Sequence, residues 1–147
     1  MTIFLLLISL KNKQIKKSSK KVEQQSTKLQ QIKETLTTAQ EIAHLGNGKW
    51  KPSNKKTTWS DEVYRIFGEK PQSIEASFDY IINHIPASEQ EKVKSAIDKS
   101  IDTSKPYEIE HQIIRNDGTV RYVRQVGDIH IDPEDQLPTL IGIILDI

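Results

Sequence analysis

The chain has 147 residues, enough for one domain and an extension, and its formal net charge is +1. It contains no cysteine, which excludes disulfides, cysteine zinc sites, thiol nucleophiles and cysteinyl–flavin photochemistry. Residues 1–40 hold eight lysines against Glu23 and Glu34, whereas residues 41–147 hold 13 basic and 18 acidic residues, so the globular part lacks the basic face that nucleic-acid binding needs.

The first ten residues, MTIFLLLISL, are almost wholly apolar. A spanning helix needs roughly 20 apolar residues, so this run is too short. A signal peptide would carry a basic n-region and a small-residue cleavage site, and neither is present. The next stretch, KNKQIKKSSKK, carries six lysines, as the cytoplasmic flank of a membrane helix does. Residues 1–10 are therefore read as the end of a membrane helix that tethers the chain to the cytoplasmic face of the inner membrane. The alternative is a disordered basic terminus with an apolar start by chance.

From about residue 14 to 44 there is no proline or glycine. Ile15, Val22, Leu29, Leu36 and Ala43 recur every seven residues, with Ser18, Gln25, Ile32 and Ala39 at the other seam position. This heptad pattern predicts a long helix within 11–43, stronger from Leu29 onward. A parallel homodimer through this helix is expected, with a single solvated helix as the alternative.

Residue 44 is taken as the start of the domain. In GNGKWKPSNKKTTW (46–59), glycines, Pro52 and Asn54 mark turns, and the runs around Trp50 and Thr57–Trp59 predict a hairpin. TTWSDEVYRIFG (57–68) reads as a short helix. Ser60 is placed to cap it, and Asp61 and Glu62 suit the first-turn dipole. Val63, Ile66 and Phe67 form one apolar face, and Gly68 ends the helix. Alone, so short a helix is unstable. Phe78, Ile81, Ile82 and Ile85 then recur at helical spacing. SEQEKVKSAIDKSI (88–101) predicts a helix with a Ser88–Glu91 capping box and an apolar face of Val93, Ala96, Ile97 and Ile101. Next, PYEIEHQIIR and TVRYVRQVGDIHI alternate with period two around the hairpin signal NDG (116–118). DPEDQLP is a second turn, and TLIGIILDI closes the chain as a continuous apolar strand. Because both alternating sets of residues 140–147 are largely apolar, both faces of this strand are expected to be covered. Ile42 and Leu45 of the long helix are the candidate cover for the outer one. The order of elements is that of an α+β domain.

No catalytic constellation emerges. The six glycines build no phosphate loop. The four histidines, at 44, 84, 111 and 130, show no metal-ligand spacing, and each reads as a solvated or hydrogen-bonded residue. His84 follows an apolar helical run and could face a cavity, but no histidine stands in a convincing haem-ligand context. DPEDQ lacks the glycine and spaced oxygens of a calcium loop.

Three motifs in order resemble the PAS (Per-Arnt-Sim) sensory family, in the branch common in bacterial sensor histidine kinases and diguanylate cyclases. Trp59 to Gly68 is similar to its W-S-D-E-x-Y-x-I-F-G opening. Pro106-Tyr107, Glu110, Ile113, Arg115, Asp117-Gly118, Arg121, Tyr122 and Val123 match its central hairpin. Gly142, Asp146 and Ile147 match the start of its closing G-x-x-x-D-I-T. His111-Gln112 stands where an aromatic-Arg pair is usual, Tyr122 replaces Trp, and Ile85-Pro86-Ala87-Ser88 replaces H-P-x-D.

The resemblance implies a five-stranded antiparallel sheet with helices on one face over residues 44–147, preceded by the long helix. It implies a ligand pocket whose residues would be Trp59, Tyr64, Phe67, Phe78, Ile81, Ile82, Ile113, Tyr122 and Ile143, and signal output through Asp146 and Ile147. No metal, haem or flavin is expected, though an unknown small molecule could occupy the pocket. The implied role is the non-enzymatic input module of a two-component or cyclase signalling protein, with its output domain absent from this chain. The alternative is a free-standing small-molecule-binding or dimerisation protein. Ending on Asp-Ile, before the family's Thr and output helix, favours a fragment.

Overall fold

A computed structural model describes residues 2–147; Met1, the first residue of the apolar start, lies outside the described residues. The chain divides into two units, one ending at Ala39 and one running from Gln40 to Ile147.

Helix α1 spans Thr2–Ala43, so it takes in the apolar start as well as the 11–43 segment whose heptads predict it. It buries no residue. The seam residues Ile15, Val22, Leu29, Ile32 and Leu36 are each more than half exposed. Thr27, Thr35, Thr37 and Thr38 donate their hydroxyls to carbonyls four residues back, which satisfies polar side chains that would otherwise compete with the helix. Among the described residues, no helix is long and apolar enough to cross a membrane.

The second unit contains β1 (Leu45–Lys51), β2 (Lys56–Trp59), α2 (Asp61–Ile66), α3 (Phe78–Asn83), α4 (Ala87–Thr103), β3 (Tyr107–Ile114), β4 (Val120–Ile131) and β5 (Pro138–Asp146). The strands form one five-stranded sheet in the order β2-β1-β5-β4-β3, and every neighbouring pair is antiparallel. The last strand in sequence is thus the middle strand of the sheet. This is the α+β architecture implied by the motifs.

Local chemistry sets the joints. His44 takes the left-handed conformation, φ 52°, and turns the chain from α1 into β1. Leu45 therefore opens β1 rather than continuing the helix. The NDG turn closes as expected: Gly118 has φ 85°, and Arg115 donates to the Thr119 carbonyl at 2.9 Å.

Two helix starts differ from the expected capping. Ser60 sits at the N-cap of α2, but its hydroxyl makes no cap bond. It accepts instead from the Asn47 amide at 3.0 Å, while the Ser60 amide donates to the Asn47 carbonyl at 2.8 Å. The serine thus ties α2 to β1. Helix α4 has Pro86 at its N-cap and no side-chain cap bond. Proline's fixed φ starts the helix early, so Ser88 falls inside the first turn and no Ser88–Glu91 box forms. Ile85 lies beyond the end of α3, yet it is buried.

Strand alternation sorts the residues by face. Tyr107, Ile109, His111 and Ile113 of β3, Val123 and Gln125 of β4, and Leu140 and Ile144 of β5 are all buried. The apolar ones form one core cluster with Val63, Tyr64, Ile66, Phe67, Ile82, Val93 and Ile97 of the helical segment. The opposite face is open: Tyr122 is 58% exposed, Val126 36% and Ile143 41%. The expected cover over both faces of β5 is thus corrected. Ile144 is buried and Ile143 is not, and Ile42 is itself 77% exposed.

Candidate functional site

Helix α2 packs closely on β1 because Gly46 has no side chain. A Cβ there would stand 2.6 Å from Val63 Cγ2 and 2.9 Å from the Val63 backbone nitrogen. This contact brings the apolar face of α2 over the sheet. Trp59 then becomes the hub of an aromatic cluster: Tyr64 and Tyr80 meet it edge-on at 5.1 and 5.6 Å, and Phe67 stacks at 6.0 Å. Trp50 of β1 stacks on Phe78 of α3 at 4.1 Å.

Between these groups and the inner face of the sheet lies a cavity of about 50 Å³, walled by Trp50, Trp59, Val63, Phe78, Ile81 and Gln125. Its floor is β5, through Leu140, Gly142 and Ile144. A water needs roughly 10–15 Å³ of such space, so the cavity has room for a few waters while the Trp50–Phe78 stack is in place.

Of the residues assigned to the pocket from sequence, Trp59, Phe78 and Ile81 line the cavity. Tyr64, Phe67, Ile82 and Ile113 are buried in the surrounding core, where they hold the walls. Tyr122 is corrected: it lies on the outer face of the sheet, where its hydroxyl accepts from Gln112 Nε2 at 2.9 Å. Ile143 borders the cavity, but its place in the alternation turns its side chain outward.

Sequence reasoning missed Trp50 and Gln125. The period of β4 could have placed Gln125 on the face of Val123. No sequence signal could reveal the stacking of Trp50 on a residue 28 positions away.

Gln125 belongs to a buried polar chain. His111 Nδ1 lies 3.0 Å from the Gln112 carbonyl, and its Nε2 lies 3.0 Å from the Gln125 amide. The other end of that amide is 3.0 Å from the Tyr107 hydroxyl. The Gln125 oxygen faces His111 Nε2, and the Gln125 amide nitrogen donates to the Tyr107 hydroxyl. Burial pushes the Tyr107 phenol up to about 12. His111, which stands where the family has an aromatic, is therefore a satisfied member of the sheet's inner face. His84 is likewise engaged: Nδ1 lies 2.7 Å from the Tyr80 carbonyl and Nε2 lies 2.9 Å from Asn116 Oδ1. Among the described residues, no group of three or more His, Asp or Glu side chains is placed to hold a metal ion. In the acidic β4–β5 turn, the Lys51 ammonium lies 2.8 Å from Asp132 and 2.5 Å from Asp135, and these bonds hold both carboxyls below their usual range.

A second cluster joins α2 to both ends of the domain. Glu62 is 5% exposed. Its carboxylate lies 3.3 Å from His44 Nδ1 and 3.1 Å from Arg65 Nη1, and Arg65 also reaches Glu41 of the last turn of α1 at 3.3 Å. The His44 carbonyl accepts from the Asp146 amide at 3.2 Å, and the Asp146 carboxylate pairs with Arg121. The Ile147 amide donates to the Tyr122 carbonyl at 2.9 Å.

Residues 56–144 match the PAS fold family. No curated protein matches the chain. Among solved structures, the chain is similar to a sensory box histidine kinase/response regulator from Burkholderia thailandensis. The identity is 17% and the TM-score 0.63, over 76% of this chain and 83% of that one. It is also similar to the N-terminal domain of a diguanylate cyclase with PAS/PAC sensor from Marinobacter aquaeolei, at 17% identity and TM-score 0.60, over 69% and 94%. An RNA-binding light-oxygen-voltage receptor matches at 15% identity and TM-score 0.61 over 69% of this chain, which spans 29% of that receptor's length. At such identities the likeness establishes the fold alone. The family match, the three motifs and the sheet order agree: this chain belongs to the PAS fold family of sensory domains.

Proposed function

We propose that the chain is the input module of a bacterial signalling protein, a sensor histidine kinase or a diguanylate cyclase. Residues 2–10 tether it to the cytoplasmic face of the membrane, and α1 pairs with a second copy through its heptad seam. Its ligand is a small, largely apolar molecule bound between α2, α3 and the sheet, with Gln125 supplying the polar contact.

The observation that carries this reading is the double role of α2. Val63 walls the cavity, while Glu62 and Arg65 of the same helix hold His44 and Glu41. A ligand that parts Trp50 from Phe78 displaces α2, and the charged cluster passes that displacement to the last turn of α1 and to Asp146. This path replaces coupling through an outer cover on β5, because Ile143 and Ile42 are exposed.

Native mass spectrometry of protein purified from its host tests the binding role. A retained small molecule that is lost in Gln125→Leu supports it; failure to retain any, together with no thermal shift across a library of small apolar compounds, refutes it. Sedimentation of Leu29→Lys/Leu36→Lys tests the pairing: the wild type associates and the variant does not. Equal association of both proteins refutes the seam.

A further inference from the structure

Five consecutive lysines of α1 share one side of the helix, while Lys11 and Lys33 fall on the side of the seam. At about 100° per residue, Lys13, Lys16, Lys17, Lys20 and Lys21 fall within a sector of about 140°. The seam of Ile8, Ile15, Val22, Leu29 and Leu36 lies roughly opposite. The five lysines span about 12 Å of helix. The first acidic residue of the chain is Glu23, and only Lys20 has an acid one turn away, so the stripe is not neutralised within the helix. Directly before it, Ile3, Phe4, Leu5, Leu6, Leu7, Ile8 and Leu10 are 41–75% exposed, with apolar side chains on all sides.

We infer that the Lys13–Lys21 stripe docks on the phosphate and carboxylate headgroups of an anionic lipid bilayer, a step that rests on the tether proposed for residues 2–10. Apolar insertion places the following turns at the headgroup level. Lysine there gains from a negative surface potential, within a screening length of about 8 Å. A nucleic-acid backbone offers the same charge, but the apolar residues next to the stripe have no place on it. Because the stripe and the seam lie on opposite sides, lipid contact leaves the seam free for a second copy.

The test is vesicle co-sedimentation of the full chain on phosphatidylcholine alone and with about 30% phosphatidylserine, at low and physiological salt, with a short DNA duplex as competitor. The expected result is partitioning on the order of 1000-fold stronger to the anionic vesicles, falling with salt. It should be lost in Lys13→Gln/Lys16→Gln/Lys17→Gln/Lys20→Gln/Lys21→Gln and kept in the corresponding arginine variant. The tryptophan-fluorescence melt of the PAS unit checks that each variant is folded. Equal binding to neutral and anionic vesicles overturns the stripe and leaves the tether standing. No binding to either overturns both. Tighter binding to DNA than to anionic vesicles overturns the lipid assignment in favour of nucleic acid.

Discussion

Ile143 and Ile144 are neighbours on the middle strand of the sheet, and replacing each by alanine removes the same atoms. Ile144 is 6% exposed on the inner face and Ile143 41% exposed on the outer. Three carbon groups at about 0.8 kcal/mol each, plus the cavity left behind, put Ile144→Ala at about 3 kcal/mol. For Ile143→Ala only part of the transfer term applies and no closed cavity forms, so the cost is about 1 kcal/mol. At roughly 4–8 °C per kcal/mol for a domain near 100 residues, the melting points should fall by about 12–24 °C and about 4–8 °C. Fluorescence of Trp50 and Trp59 is the suitable probe, since both lie in the second unit while α1 dominates the far-ultraviolet helix signal. Melts at two protein concentrations separate an open face from one covered by a second copy. Equal losses for the two variants at low concentration would mean that the outer face is packed within the chain, and the coupling path through α2 would lose its rationale.

Gly127→Ala should cost about 2–3 kcal/mol in urea denaturation, because a Cβ there would stand 2.2 Å from Tyr107 Cε1 in a rigid ring. Trp50→Ala should enlarge the cavity and raise the affinity for a small aromatic probe such as indole, read by calorimetry; unchanged affinity would place the site elsewhere. Glu62→Gln should leave the cavity intact but raise amide exchange in residues 40–44, since only the carboxylate form pairs with both His44 and Arg65; unchanged protection there would remove Glu62 from the coupling path. Lys51 lowers the carboxyl pKa values of Asp132 and Asp135. Their contribution is therefore complete above the unfolded carboxylate value of about 3.9 and lost as pH falls through the lower folded values. The melting-point gap between wild type and Asp132→Asn/Asp135→Asn should thus be constant from about pH 5 to 8 and close toward pH 2; a gap that persists at low pH would refute the ion-pair origin.

Period and turn chemistry determined much of this protein from sequence alone. The heptads of α1, the alternation in β3 and β4, the NDG turn and the Trp59–Gly68 opening each report a local backbone preference. With the apolar spacing of the 78–85 and 88–101 segments and the closing apolar run, they located the strands and helices of the PAS unit, whereas its five-stranded sheet was implied by the family resemblance. Capping was less legible: the Ser60 hydroxyl is claimed by the Asn47 amide, distant in sequence, while the fixed φ of Pro86 itself starts α4 ahead of the expected Ser88 box. Partners distant in the chain were not legible at all. Residues 140–147 are apolar on both alternating sets, so period could not say which set faces the core. That was decided when β5 inserted between β1 and β4, with Ile144 beneath the helices and Ile143 outside. Tyr122 fits a family motif yet faces outward, while Trp50 and Gln125 fit no motif yet wall the cavity. A side chain's environment depends on the strand register and on the helix that covers it, and both are set by contacts across the whole domain.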